Sequence, residues 1–138
     1  MSVRQLRVVV TAEDYDEALR FYRDVLGLPE LGAFSGEHGD VTILDAGRAT
    51  LELSDPAHAD FIDEVEVGAR VAGHIRIAFE IEDAAETTRR LAAAGARVLA
   101  EPTPTPWGSL NSRLEAPAGL QLTLFQEPGD GSTERFTA

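Results

Sequence analysis

The sequence predicts an α+β fold in which two tandem βαβββ modules form a curved mixed sheet around a cleft. Three observations predict it. The segments Leu6–Tyr22 and Ile75–Leu91 share a pattern, with Arg7, Glu13, Asp14, Glu17 and Arg20 standing opposite Arg76, Glu82, Asp83, Glu86 and Arg89. Both copies carry the same helix-start signal, and both are followed by three short alternating apolar runs. With 138 residues and 43% hydrophobic content, the chain suffices for one core and is too short for two independent domains.

Each copy opens with an alternating strand. Leu6, Val8 and Val10 are expected to face a helix, with Arg7, Val9 and Thr11 on the opposite face; Ile75, Ile77, Phe79 and Ile81 repeat this, leaving His74, Arg76, Ala78 and Glu80 opposite. The strands run into Asp14 and Asp83, which can cap a helix, and Glu17 and Glu86 complete capping boxes. The first helix is expected to bury Ala18, Leu19, Tyr22, Val25 and Leu26 and to stop at Gly27. The second is expected to bury Thr87, Leu91 and Ala94 and to stop at Gly95. Strands are then predicted over 32–35, 41–45 and 49–54, and over 98–101, 111–115 and 120–126, separated by Gly and Pro turns. Leu51, Leu53, Leu122 and Leu124 fall on the helix side, with Thr50, Glu52, Ser54, Gln121, Thr123 and Phe125 opposite. A single domain over 1–128 thus comprises a first module of about 4–54, a long acidic connection over 55–72 and a second module of about 73–127. Residues 129–138 read as a flexible tail.

Composition excludes several functions. A net charge of −12 without a Lys/Arg cluster opposes nucleic acid and anionic lipid, and its field favours a cationic ligand unless it serves solubility alone. No apolar run approaches the roughly 20 residues of a membrane span, and no signal-like N-terminal segment is present, so a soluble cytoplasmic protein is expected. The absence of cysteine removes disulfides, thiolate metal sites and cysteine nucleophiles.

Two semi-polar sheet faces curling together define the expected ligand cleft. Arg7 can pair with Glu52 across adjacent strands, and Arg76 with Glu80 or with an anionic group of a ligand. These side chains form either ligand anchors or a structural ion-pair network. His74 is an acid–base candidate or a partly exposed loop-proximal residue. Trp107, the only tryptophan, lies in the Pro-rich loop PTPTPWGSL, where it either stacks on a planar ligand or pins the loop; Phe125 and Phe34 can extend an aromatic wall. His38 and His58 are assigned no role.

The segment VVVTAEDYDEALRFYRDVLGLPE, with IRIAFEIEDAAETTRRLAAAGARVLAEP, PWG and LEAPAGLQLTLFQEP, resembles the vicinal oxygen chelate superfamily, which includes glyoxalase I, extradiol dioxygenases, fosfomycin-resistance transferases and bleomycin-resistance binding proteins. The resemblance spans about residues 4–127. It implies that the ligand positions of the metal-dependent members, a His or Gln on each first strand and a Glu or similar residue on each fourth, fall on Arg7, Glu52, Arg76 and Thr123. Only Glu52 can bind a metal, and a guanidinium stays cationic and repels one, so neither metal nor cofactor is expected. The resemblance also implies a homodimer.

The leading expectation is a metal-independent protein that binds a small aromatic or hydrophobic molecule, as drug-sequestering members do, through Arg7, Thr11, Glu52, His74, Arg76, Glu80, Trp107, Thr123 and Phe125. The alternatives are a lyase or isomerase of the glyoxalase type and a regulatory module with a vestigial cleft.

Overall fold

The computed structural model describes residues 2–128; the expected tail over 129–138 lies outside the described residues. Strands β1 (Val3–Thr11), β2 (Glu30–Phe34), β3 (Val41–Asp45), β4 (Thr50–Ser54), β5 (Ile75–Ile81), β6 (Arg97–Pro104), β7 (Leu110–Ala116) and β8 (Leu120–Gln126) form one eight-stranded sheet in the order β2-β3-β4-β1-β5-β8-β7-β6. The two halves repeat the same order outward from a central antiparallel β1–β5 pair, and within each half the first and fourth strands are parallel. The duplication read from the sequence is thus visible in the hydrogen-bond ladder.

Both helix starts form as their residues dictate. The Asp14 carboxylate accepts from the Glu17 N–H to open α1 (Tyr15–Leu19), and Asp83 accepts from the Glu86 N–H to open α3 (Ala84–Ala93). α3 covers the second half, where Ile81, Ala84, Leu114 and Leu124 make a buried cluster joined by Phe79 and Leu91. Ala94, expected inside, is exposed because it forms the C-cap before Gly95, whose φ of +114° ends the helix.

The first helix departs from expectation. After Leu19 it continues as a π-helix over Arg20–Val25, with the Leu26 N–H bonded to the Phe21 carbonyl. The wider turn breaks the 3–4 spacing that would line up one buried face. Tyr22 and Leu26 therefore stand exposed beside Phe21 (52%) and Val25 (65%), rather than buried, and Ala18 and Leu19 are half-buried.

The expected plain connection over 55–72 holds an eleven-residue helix, α2 (Pro56–Glu66). Asp55 caps it by accepting from the His58 N–H at 2.8 Å, and Pro56 occupies the first turn, where its missing N–H is not needed. α2 lies on the sheet face opposite α1 and α3, across the cleft. Its buried residues are His58, Ala59, Ile62, Asp63 and Glu66. Among the described residues no helix is long and apolar enough to cross a membrane.

Candidate functional site

Period-two alternation brings the four family positions together on the central strands. Val9 of β1 faces Glu52 of β4 on one side and Arg76 of β5 on the other, and Ala78 faces Thr123 of β8. The four side chains share one cavity with Trp107 and Phe125. Arg7 is buried, its Nε donating to Gln5 Oε1 at 2.8 Å, its Nη1 3.9 Å from Glu52 Oε1 and its guanidinium 4.5 Å over the Phe125 ring. Arg76 Nη1 donates to Thr123 Oγ1 at 2.8 Å. Phe125 lines the cavity, packed on Val9 and Ala78.

Other candidates are placed elsewhere. Glu80 is buried on the same face outside the cavity lining, and Thr11 sits in a smaller recess toward the other end of α2. His74 is exposed, contributing its backbone carbonyl to the Thr11 N–H. Phe34 lines a separate groove with His38, His58 and Phe61. Trp107 is half-buried in the β6–β7 turn, 6.2 Å from the Phe61 ring, and this turn is clamped by Thr105 and Ser109.

The cleft is nearly filled. The cavity holds about 40 Å³, room for a few waters, whereas small-molecule sites span roughly 300–1,000 Å³. α2 accounts for this, because Ile62 and Glu66 project into the space. Beneath it lies a charge network that sequence reasoning missed. Arg113 of β7, fully buried, donates from Nη1 to Asp63 Oδ1 at 2.8 Å and to Gln121 at 2.7 Å, from Nη2 to Glu66 Oε1 at 2.6 Å, and from Nε to Thr123 Oγ1 at 3.1 Å. Asn111 Nδ2 donates to Glu66 Oε2 at 2.7 Å, and Asp63 Oδ2 also accepts from the Val71 and Ala72 N–H groups. The available signals were Asp55-Pro56 as a cap and first turn, and Arg113 on the same strand face as Asn111.

Burial pushes the Arg76 pKa down, opposed by the Glu66, Glu52 and Asp63 carboxylates and reinforced by Arg113. Burial acts to raise the Asp63 pKa, but the N–H donors of Ala72 and Val71 and the Arg113 guanidinium outweigh it and hold the carboxyl below its usual range. Burial also lowers the His58 pKa; its Nδ1 lies 3.2 Å from the His38 carbonyl, and its Nε2 is buried without a hydrogen-bond partner among the described residues.

These directions set a pH dependence. The fold disfavours a proton on His58 that the unfolded chain accepts near pH 6.5, so its contribution is complete above that pH and is lost as pH falls below it. Asp63 contributes above its unfolded pKa of about 3.9 and loses that contribution as pH falls toward its lower folded value. Urea unfolding at pH 8 and pH 5 should show a drop in stability that shrinks in His58→Gln. An unchanged drop in that variant would remove His58 as its source.

The four positions do not suit a divalent ion: two are guanidiniums and one a hydroxyl, and no group of three His, Cys, Asp or Glu able to hold a metal is found among the described residues.

Comparison with known proteins agrees with this architecture. A curated relative from Synechocystis sp., "Probable lactoylglutathione lyase", is 28% identical over 128 residues, covering 88% of this chain and 93% of its own. A variant of the Streptomyces coelicolor methylmalonyl-CoA epimerase, in complex with 2-nitronate-propionyl-CoA, superposes with a TM-score of 0.66 at 22% identity, covering 93% of this chain and 100% of that one. A superfamily member from Vibrio splendidus gives a TM-score of 0.62 at 13% identity over 91% of this chain and 100% of its own. These two structures share the fold. The family model described as Glyoxalase/Bleomycin resistance protein/Dioxygenase superfamily matches residues 4–132, and the chain belongs to that superfamily.

Proposed function

We propose that the chain is a metal-independent binding protein of this superfamily that sequesters a small aromatic or hydrophobic molecule, of the antibiotic-resistance type, in or at the mouth of the sheet cleft. One observation carries the reading. Arg7 and Arg76 stand where the resemblance puts metal ligands, one beside Glu52 and the other bonded to Thr123, so positive charge fills the place of the ion. Trp107 supplies an indole face at the rim, with Phe61 beside it. A homodimer in the cytoplasm belongs to the same proposal, supported by the exposed strip of Phe21, Val25 and Leu26, an apolar patch of the kind that marks interaction surfaces.

A second reading, a lyase or epimerase, is favoured by the Synechocystis relative, which matches along nearly its whole length. One set of measurements separates the two. Metal analysis of the purified protein and thermal shift with Zn²⁺ and Fe²⁺ should show no bound metal and no stabilisation. An aromatic antibiotic should quench Trp107 fluorescence in the wild type and bind at least tenfold more weakly to Trp107→Ala. Light scattering should report twice the chain mass. Stabilisation by either ion, or turnover in a lactoylglutathione lyase or methylmalonyl-CoA epimerase assay, would sink the sequestration reading.

A further inference from the structure

We infer that Asp63 and Glu66 of α2 are resident stand-ins for the anionic group of a ligand, and that a small molecule bearing a carboxylate on an aromatic or apolar body binds beneath α2, replacing them against Arg113, Arg76, Asn111 and Thr123. This rests on the small-molecule reading above and assigns its ligand class and route of entry.

The geometry of Glu66 is that of a bound carboxylate. Its Oε1 accepts from both Arg113 Nη2 at 2.6 Å and Nε at 3.2 Å, while Oε2 takes the Asn111 amide at 2.7 Å. Thr123 Oγ1 sits between two guanidiniums, accepting from Arg76 at 2.8 Å and from Arg113 at 3.1 Å. The sheet therefore carries a two-guanidinium cradle whose charge is balanced from α2. Glu66 and Asp63 are also among the carboxylates that support the buried charge of Arg76. Lifting the helix leaves this cradle open to another anion.

α2 is held in a way that permits lifting. Three of its five buried residues are polar, and the apolar ones are only Ala59 and Ile62. The chain after it, residues 67–74, has no regular helix or strand and is largely exposed, with Gly68 at a φ of +90°. Beneath the helix, Val9, Ala78, Phe125 and Trp107 offer an apolar and aromatic wall next to the cradle. The room for a ligand body is the room α2 occupies, since the remaining cavity is about 40 Å³. The overall charge of −12 opposes an anion at long range, but charges beyond about 10 Å are screened at 0.1 M salt, so the local cradle decides the sign of the preferred ligand.

Two measurements test this. Amide exchange of the wild-type chain should show α2 opening alone, its interior amides exchanging at least 100-fold faster than those of β5 and β8. Exchange of α2 only at the global unfolding rate would overturn the inference. Benzoate, followed by NMR shifts of residues lining the cleft, should bind Glu66→Gln at least tenfold more tightly than the wild type, because the neutral amide vacates the charge of the cradle; benzylamine should show no such gain. Asp63→Asn, which removes the other stand-in carboxylate and keeps an amide oxygen for the Val71 and Ala72 N–H groups, serves as the second variant and should shift benzoate affinity in the same direction. Failure of benzoate to gain in either variant, or an equal gain for benzylamine, overturns the anion assignment. Trp107 quenching by aromatic antibiotics reads the small-molecule proposal separately from both.

Discussion

Arg113→Met should lower the free energy of unfolding by about 3–5 kcal/mol, the usual loss when one partner of a buried ion pair is removed and its counter-charges stay behind. Arg113 is 0% exposed and holds two carboxylates at once, Asp63 at 2.8 Å and Glu66 at 2.6 Å. Methionine fills much of the volume but answers neither charge. The loss has a ceiling, because once it exceeds the cost of detaching α2, the helix lifts and both carboxylates return to water. The urea midpoint of Arg113→Met thus measures how firmly the helix is latched. Arg113→Lys keeps the charge without the planar fork and should lose an intermediate amount. The triple variant Arg113→Met, Asp63→Asn, Glu66→Gln removes the three charges of this cluster while an amide oxygen at 63 can still accept from the Val71 and Ala72 N–H groups, so it should recover part of the loss, the remainder reflecting Arg76, which is left with Glu52. A triple variant no more stable than Arg113→Met would show that the network acts through packing rather than charge.

How far the sequence reveals this arrangement depends on the range of the interaction that fixes each part. The strands and both aspartate caps were legible because alternation and a cap are local: Asp14 and Asp83 act on an N–H three residues away. The same alternation put Arg7, Glu52, Arg76 and Thr123 on one face, and the ladder sets them side by side. Helix α2 was missed because a stretch with Asp60, Asp63, Glu64 and Glu66 looks solvated. Two of those acids are buried only because Arg113, some fifty positions later, comes to lie beneath them. The exposed Tyr22, Val25 and Leu26 show the opposite failure. Their spacing promises a buried stripe, but the π-helical turn rotates it away, and spacing says nothing about what lies opposite.

Functionally, the two arginines and α2 are coupled. A sheet that placed two guanidiniums in a cleft without counter-charge would bury them at a cost of several kcal/mol each. Glu52 answers Arg7 from within the sheet. For Arg76 and Arg113 the largest carboxylate influence comes from a helix outside the sheet. The charge balance of the site is therefore tied to the position of a detachable element, and a ligand able to supply the same charge competes with that element directly.

The seat of α2 yields the second large effect. Gly39→Ala should destabilise the protein by about 2–4 kcal/mol, whereas Gly47→Ala should cost only about 1–2. Both glycines have nearly the same backbone conformation, with φ of +82° and +84°, so the left-handed penalty is common to the two. They differ in surroundings. A Cβ at Gly47 meets open space, but one at Gly39 collides with Asp55 Oδ1 and the backbone nitrogen of His58, and lies 3.0 Å from the Ala57 carbonyl carbon. The carboxylate could swing aside only by giving up its cap on the His58 N–H, worth about 1 kcal/mol, and the helix backbone cannot move without shifting α2. The difference between the two variants therefore isolates the contact between the β2–β3 loop and the start of the helix. Amide exchange within α2 should accelerate in Gly39→Ala and stay unchanged in Gly47→Ala once global stability is allowed for. Equal losses in the two variants would mean that the loop gives way freely and that α2 is seated by its carboxylates alone.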